Sequence, residues 1–199
     1  YMIKITLCMA ISIVEFIAKE DGSIDWLAPF FLPGGEDCGY NALKDNVDVV
    51  LMGRNAYEGC LKDSIRELNM TYGEYLLEKS IKCYVFTKKE FKDTKNVGFV
   101  SDPISFVNTL KDKKYRVTEK NRGRKNILLA GGSEISGLLL SNGLIDELYL
   151  ITAPIVLGKG ISLFKNIDKE AIWNSTGVEQ YKDIIVSKYR LDGNRNHNL

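Results

Sequence analysis

Histidine is nearly missing from this sequence. Of 199 residues only one is a histidine, and that one, His197, sits in a polar tail away from every motif. Without an imidazole beside a nucleophile, a Ser/His or Cys/His hydrolase lacks its general base, and a zinc site loses its commonest ligand. Cysteine is sparse too: Cys8, Cys38, Cys60 and Cys83 are scattered with no C-x-x-C pair. They read as structural thiols in a reducing compartment, and no metal is expected. Nor does charge of one sign prevail, since 27 Lys and Arg face 26 Asp and Glu for a net charge of +1. That balance gives no global reason to expect nucleic acid or an acidic membrane as partner. No apolar run approaches the roughly 20 residues that cross a bilayer. The apolar stretch 2–18 is interrupted by Lys4 and Glu15 and lacks a basic leader and a small-residue cleavage site, so a cytoplasmic protein is expected. Two nucleotide signatures are absent as well: there is no G-x-x-x-x-G-K-[ST] loop and no G-x-G-x-x-G turn, which weakens P-loop and standard dinucleotide-fold readings.

What remains is a chain with 45% hydrophobic residues, enough for one filled core. Apolar, β-branched runs alternate with helical patterns, the signature of an α/β sheet. Strands are predicted at Ile3–Cys8, Val47–Met52, Lys82–Thr87, Val97–Val100, Ile127–Ala130 and Leu148–Ile155. Helices are predicted near Gly39–Lys44, Tyr72–Lys79, Pro103–Lys111 and Ser133–Asn142. Asp102 followed by Pro103 is a helix start, with proline where its missing N–H costs nothing. Ile104, Phe106, Val107 and Leu110 then give one apolar face, and Ser133 is a candidate cap for the last helix, with Ile135, Leu138 and Leu139 inward. Ile172–Tyr181 and Ile184–Leu191 flank Lys182-Asp183 as a β-hairpin, which adds antiparallel strands to a mainly parallel sheet. The whole reads as one domain over 2–191 with a polar tail at 192–199. The basic stretch Lys111–Lys125 reads as a solvated loop, because no aromatic residues interleave its charge at nucleic-acid spacing.

Three strand ends carry phosphate-compatible groups. Ile127-Leu-Leu-Ala-Gly-Gly-Ser-Glu-Ile135 runs from a buried strand through two glycines into a helix, which leaves backbone N–H groups at a positive helix end with no side chain in the way. A structural tight turn explains the glycines equally well. Val at 132 tests the difference: it blocks an anion but spares the fold, unless Gly132 has positive φ. Asp48-Val-Val-Leu-Met-Gly-Arg-Asn-Ala-Tyr-Glu58 again ends a strand in glycine and places Arg54 at the start of a helical turn, where it can pair with a phosphate or remain a plain surface arginine. Cys83-Tyr-Val-Phe-Thr-Lys-Lys89 ends in a hydroxyl and two ammonium groups, read either as solvated lysines or as a seat for the extra phosphate of NADPH. Ligands of open α/β sheets gather at the carboxyl ends of strands, and that favours reading the three together.

The order and spacing of these pieces resemble the dihydrofolate-reductase-like family, in particular the reductase domain of the bacterial riboflavin deaminase-reductase. The matching pieces are Met9-Ala10 with Phe16-Ile17-Ala18, Leu51-Met52-Gly53-Arg54-x-x-Tyr57-Glu58, Tyr84-Val85-Phe86-Thr87 and Leu129-Ala130-Gly131-Gly132-Ser133-Glu134. They continue with Leu144-Ile145-Asp146-Glu147, Pro154-Ile155-Val156-Leu157-Gly158-Lys159-Gly160 and Leu163-Phe164, and together span about residues 2–190. The resemblance implies an α/β fold with a central mixed, mainly parallel sheet flanked by helices and a C-terminal β-hairpin, and a homodimer. It implies NADPH, with Gly53 and Arg54 near the phosphates and Thr87, Lys88 and Lys89 toward the adenosine phosphate. Gly131, Gly132, Ser133, Glu134 and Ile135 would receive the pyrophosphate, and Ala10 and Ile17 would line the nicotinamide. Leu157, Gly158 and Gly160 would border the substrate, with Met9, Glu15, Trp26 and the Pro33-Gly34-Gly35 loop shaping its pocket; for Trp26 a core role stays open.

Two departures stand out. Where relatives read S-L-D-G this chain has Ser12-Ile13-Val14-Glu15, and a common Thr or Ser after G-R-x is Ala56, which removes a phosphate-facing hydroxyl. The implied activity is hydride transfer from NADPH to a small heterocyclic substrate, pterin- or ribosylaminopyrimidine-like. The alternative is a nucleotide-binding or ligand-sensing protein of the same fold without turnover. No catalytic acid or base is singled out.

Overall fold

β1, Lys4–Ile11, supplies the centre of the molecule because both of its faces are apolar. In the computed structural model, which describes residues 3–30, 38–39, 43, 46–62, 64–65, 70–71, 81–93, 95–112 and 126–193, this strand lies between β8 (Asn126–Leu129) and β9 (Glu147–Thr152) and is parallel to both. β3 (Val49–Gly53), β6 (Lys82–Phe86) and β7 (Val97–Val100) continue the parallel run beyond β8. On the other flank β12 (Ile184–Leu191) and β11 (Trp173–Tyr181) add antiparallel pairs, so the order is β11-β12-β9-β1-β8-β3-β6-β7. This is the mixed, mainly parallel sheet with a C-terminal hairpin that the sequence predicts. Strands buried on both faces read as continuous apolar runs, which explains why β3, all five residues of it buried, carries no polar alternation.

Each face has its own core. One gathers Cys8, Val50, Met52, Cys83, Val85, Leu128, Tyr149, Ile151 and Val186 under Ala56 and Tyr57 of α1, Arg54–Lys62. The other gathers Ile5, Leu7, Leu51, Ile127, Leu129 and Leu148 under α2 (Pro103–Lys111) and α3 (Ser133–Ser141). Each leucine or isoleucine fully withdrawn from water contributes about 1.5–3 kcal/mol, so the two layers together hold the sheet. Burial pushes the Cys8 thiol up to about 12, in keeping with an inert structural thiol.

α2 forms where the sequence puts it. Asp102 accepts the Ser105 N–H at 3.1 Å with Pro103 next in line, and Val107 and Leu110 are buried. α3 needs correction: Gly132, not Ser133, is the cap residue, and Leu138 is exposed while Ile135, Leu139 and Leu140 pack inward. The strand predicted to reach Ile155 stops at Thr152, because Pro154 lacks an N–H and the Ile155 N–H folds back on the Ala153 carbonyl at 2.8 Å. The short antiparallel pair β2 (Phe16–Ala18) with β10 (Ile161–Ser162) is not legible in the sequence, nor is β4 (Ser64–Ile65) with β5 (Met70–Thr71). The helix predicted at Tyr72–Lys79, most of that predicted at Gly39–Lys44, the Pro33-Gly34-Gly35 loop, most of the basic stretch and His197 lie outside the described residues. No described helix is long and apolar enough to cross a membrane.

Candidate cofactor-binding site

Because β9, β1, β8, β3, β6 and β7 are parallel, their carboxyl ends share one edge, and the three predicted motifs emerge there side by side. β8 runs into Gly131-Gly132, its neighbour β3 into Gly53-Arg54, and the next strand, β6, into Thr87-Lys88-Lys89. Gly53 lies opposite Phe86, so Arg54 and Thr87 leave adjacent strands at the same height. At about 4.8 Å between strands the three motifs span roughly 10 Å.

The glycine turn is built for close approach. Gly131 and Gly132 have φ of 103° and 95°, a region that side-chain-bearing residues rarely enter. The Gly53 N–H donates to the Gly131 carbonyl at 3.0 Å, and a Cβ on Gly132 would stand 3.2 Å from the Gly53 backbone. Met9 lies over Gly131, where a Cβ would come within 2.6 Å of its methyl group. No side chain caps α3: the Ser133 hydroxyl instead donates to the Ser162 carbonyl at 2.6 Å. α2 satisfies its own first turn through Asp102, whereas α3 presents its free N–H groups to whatever occupies the edge. Glu134, in that first turn, is exposed and pairs with Lys165 at 3.1 Å. Ile135 packs beneath, against Gly53.

Thr87 donates its own N–H to the Val100 carbonyl, and its side-chain oxygen accepts the Lys89 N–H at 3.1 Å, which folds the chain so that its hydroxyl proton is still free to donate. Lys88 and Lys89 are exposed and have no ion-pair partner among the described residues. Arg54 does have one: its Nη1 donates to both oxygens of Glu58, at 3.1 and 3.4 Å. Sequence reasoning missed Glu58, although its position four residues along a helix from Arg54 was a readable signal. Ala56 faces the core under α1, so the hydroxyl expected there would not have met a phosphate.

The substrate-side residues divide. Ala10 packs with the layer under α1, while Met9 and Ile17 pack with the opposite one; alternation along β1 separates Met9 from Ala10. Trp26, in a single 3-10 turn at Asp25–Leu27, is 5% exposed and packs with Ala153 and Leu157 in a third small cluster that Phe16 and Ile155 flank. Its indole N–H has no hydrogen-bond partner among the described residues. Trp26 and Leu157 are thus core residues of that cluster. Gly160 is required by packing, since a Cβ there would meet the Ala18 carbonyl at 2.5 Å, whereas Gly158 is exposed with open space around it.

Ser12-Ile13-Val14-Glu15 is a tight turn, closed by Glu15 N–H to Ser12 carbonyl and Phe16 N–H to Ser12 hydroxyl, at 2.9 and 3.1 Å. Glu15 has φ of 60°. A left-handed backbone of this kind is the one that glycine enters most easily. Glu15→Gly is expected to raise the melting temperature by a few degrees, since a left-handed non-glycine residue costs about 1–2 kcal/mol. Calorimetry of the variant checks this, and an unchanged or lower transition would remove the strain assignment.

A mainly parallel eight-stranded sheet with a glycine turn at its carboxyl edge and a C-terminal antiparallel hairpin is the reductase-like α/β fold of the dihydrofolate-reductase-like class. The comparisons make this specific: the RibD C-terminal domain model matches residues 3–187, and the chain belongs to that family. The uncharacterized proteins YwjB and YyaP of Bacillus subtilis are 32% and 25% identical over 188 and 171 residues, which is 94% and 82% of this chain and 97% and 81% of theirs. Among solved structures, a provisionally assigned riboflavin biosynthesis protein of Shewanella sp. PV-4 aligns with a TM-score of 0.74 at 22% identity, covering 96% of this chain and 99% of that one. The Thermotoga maritima diaminohydroxyphosphoribosylaminopyrimidine deaminase/5-amino-6-(5-phosphoribosylamino)uracil reductase aligns with a TM-score of 0.64 at 16% identity. There the match covers 96% of this chain and 57% of the larger protein.

Proposed function

We propose that this protein is an NADPH-dependent reductase that transfers a hydride to a small heterocyclic, pterin- or ribosylaminopyrimidine-like substrate. The observation that carries the reading is the juxtaposition at one edge of a helix start without a side-chain cap, a glycine turn that a Cβ would fill, and two lysines, without an ion-pair partner among the described residues, beside a threonine hydroxyl. That donor set fits a dinucleotide phosphate. Gly131, Gly132 and the first N–H groups of α3 would hold the pyrophosphate, and Arg54 would add charge from the neighbouring strand end. Lys88, Lys89 and Thr87 would take the adenosine phosphate. NADPH supplies the hydride when bound; this chain's residues orient it and keep water from the reacting ring. Ala10, from the end of β1, offers an apolar surface at that edge, and the Trp26 N–H is a buried donor with nothing yet to bind.

NADPH titration tests the reading directly. Replacing both Lys88 and Lys89 by alanine should weaken NADPH by about tenfold or more and barely change NADH, as two charge-assisted contacts are lost from one phosphate only. Equal losses for both cofactors would take the adenosine-phosphate role away from this pair.

One observation favours the second reading, a nucleotide-binding or ligand-sensing protein without turnover. Val14, where relatives carry aspartate, is 44% exposed beside exposed Ile13 at the rim of the same edge, so a polar substrate group would find no partner there. NADPH oxidation with a panel of pterins and ribosylaminopyrimidines separates the two. Turnover in the wild type supports the reductase, and turnover only after Val14→Asp with Glu15→Gly supports the binding protein.

A further inference from the structure

Arg54 stands in a place that disfavours it. It is the first residue of α1, where the positive end of the helix dipole meets a second positive charge, an arrangement that raises the energy of both. Its order relative to Glu58 is also the weaker one, because a cation placed four residues before an anion runs against the helix dipole. The contact itself is incomplete. A single nitrogen, Nη1, serves both carboxylate oxygens, at 3.1 and 3.4 Å, in place of the two parallel bonds that a guanidinium fork can make. The side chains are 32% and 45% exposed, so water screens the pair.

Among the described arginines, Arg54 is also the one at the sheet's carboxyl edge. Arg190 pairs with Glu147 at the start of β9, at the other end of the sheet. Among the described residues Lys88 and Lys89 have no carboxylate on them, so of the three cations assigned to the edge Arg54 is the one held there by an anion. A structural ion pair would gain from better geometry and the reverse order. A counter-ion that must give way gains from being weak.

We infer that Glu58 is an internal stand-in for phosphate: it neutralises Arg54 while the edge is empty and competes with the incoming anion for the same guanidinium, setting the affinity of the site. This rests on the cofactor reading for the identity of the ligand, but not for the competition itself. Arg54 exchanges one screened carboxylate contact for a phosphate that can accept two bonds and also faces the helix start. Glu58 is therefore an affinity-determining residue, with no role in the reacting atoms.

The test is a double-mutant cycle read by titration. Glu58→Gln keeps the shape and removes the charge, and should tighten NADPH and inorganic pyrophosphate by about two- to fivefold, the size of a freed surface pair. In an Arg54→Gln background the same change should have no effect beyond error. Unchanged or weaker binding by Glu58→Gln overturns the inference and makes Glu58 a support for Arg54. An equal gain in the Arg54→Gln background also overturns it, since Glu58 would then act as general negative charge. If wild-type protein fails to bind NADPH, the cofactor reading falls, and the pyrophosphate arm of the cycle still decides the competition. Melting curves of each variant show whether a change in binding is a change in folded fraction.

Discussion

Gly132→Val is expected to lower the melting temperature by roughly 10 °C and to leave no measurable NADPH binding in the protein that still folds. The first effect follows from the backbone. Gly132 has φ of 95°, and a β-branched residue there is strained by about 1–3 kcal/mol. The new Cβ also stands 3.2 Å from both Gly53 Cα and Gly53 N, atoms of a buried strand end that cannot easily move. Strain and overpacking together make about 3 kcal/mol, and a domain of this size loses about 2–4 °C per kcal/mol. The second effect follows from the place: the branched methyl groups would lie where an anion must reach the first N–H groups of α3. The sequence alone leaves room for a non-binding variant of unchanged stability, and the positive φ closes that room. Thermal melts and NADPH titration of the variant check both halves. A normal melting temperature would contradict the strain, and normal affinity would make the turn merely structural.

Gly137→Ala is expected to be at least as damaging, although it adds one methyl group in the middle of a helix where alanine is ordinarily preferred. The helix lies with its bare backbone on the chain at Lys165, so that a Cβ at 137 would fall 1.9 Å from the Lys165 carbonyl oxygen and 2.9 Å from its carbon. Real Cβ atoms do not approach so closely, and α3 or the 162–165 segment must move by more than an ångström. The two are also tied by the Lys165 N–H to the Ser133 carbonyl at 3.2 Å and by the Ser133 hydroxyl to Ser162. A loss of 3 kcal/mol or more is expected, within the range for overpacked cores, and with it the alignment of the helix start with the glycine turn. Calorimetry and NADPH titration are again the measurements. A variant as stable as the wild type would mean that α3 does not sit on that segment as described.

Much of this was legible in the residues themselves. β7, α2 and β12 fall where periodicity and capping place them, because a β-branched run, an Asp-Pro start and a Lys-Asp turn are local signals. The three phosphate-type strand ends were legible one by one. That they stand side by side was carried by the sheet order, which inserts β8 between β1 and β3, and no local pattern encodes that. Ser133 reads as a cap by type, yet a neighbouring segment takes its hydroxyl, a tertiary choice that overrides a local preference. β2 and β10 are two to three residues long and paired across more than 140 positions, too short to leave a period. The strain at Glu15 was invisible because the residue type argues against the conformation it adopts.

The place of β1 has a consequence for how the molecule is made. Both of its neighbours, β8 and β9, come from residues 126–152, so β1 is synthesised well before either of them. At ordinary rates of elongation that leaves an interval on the order of ten seconds in which an eight-residue apolar strand has emerged with neither edge hydrogen-bonded. The local pair β11–β12 forms as soon as its turn does, but it can join the sheet only through β9. Pairing of β1 therefore waits on partners that arrive later, and in that interval the nascent chain most needs protection from pairing with a second copy of itself.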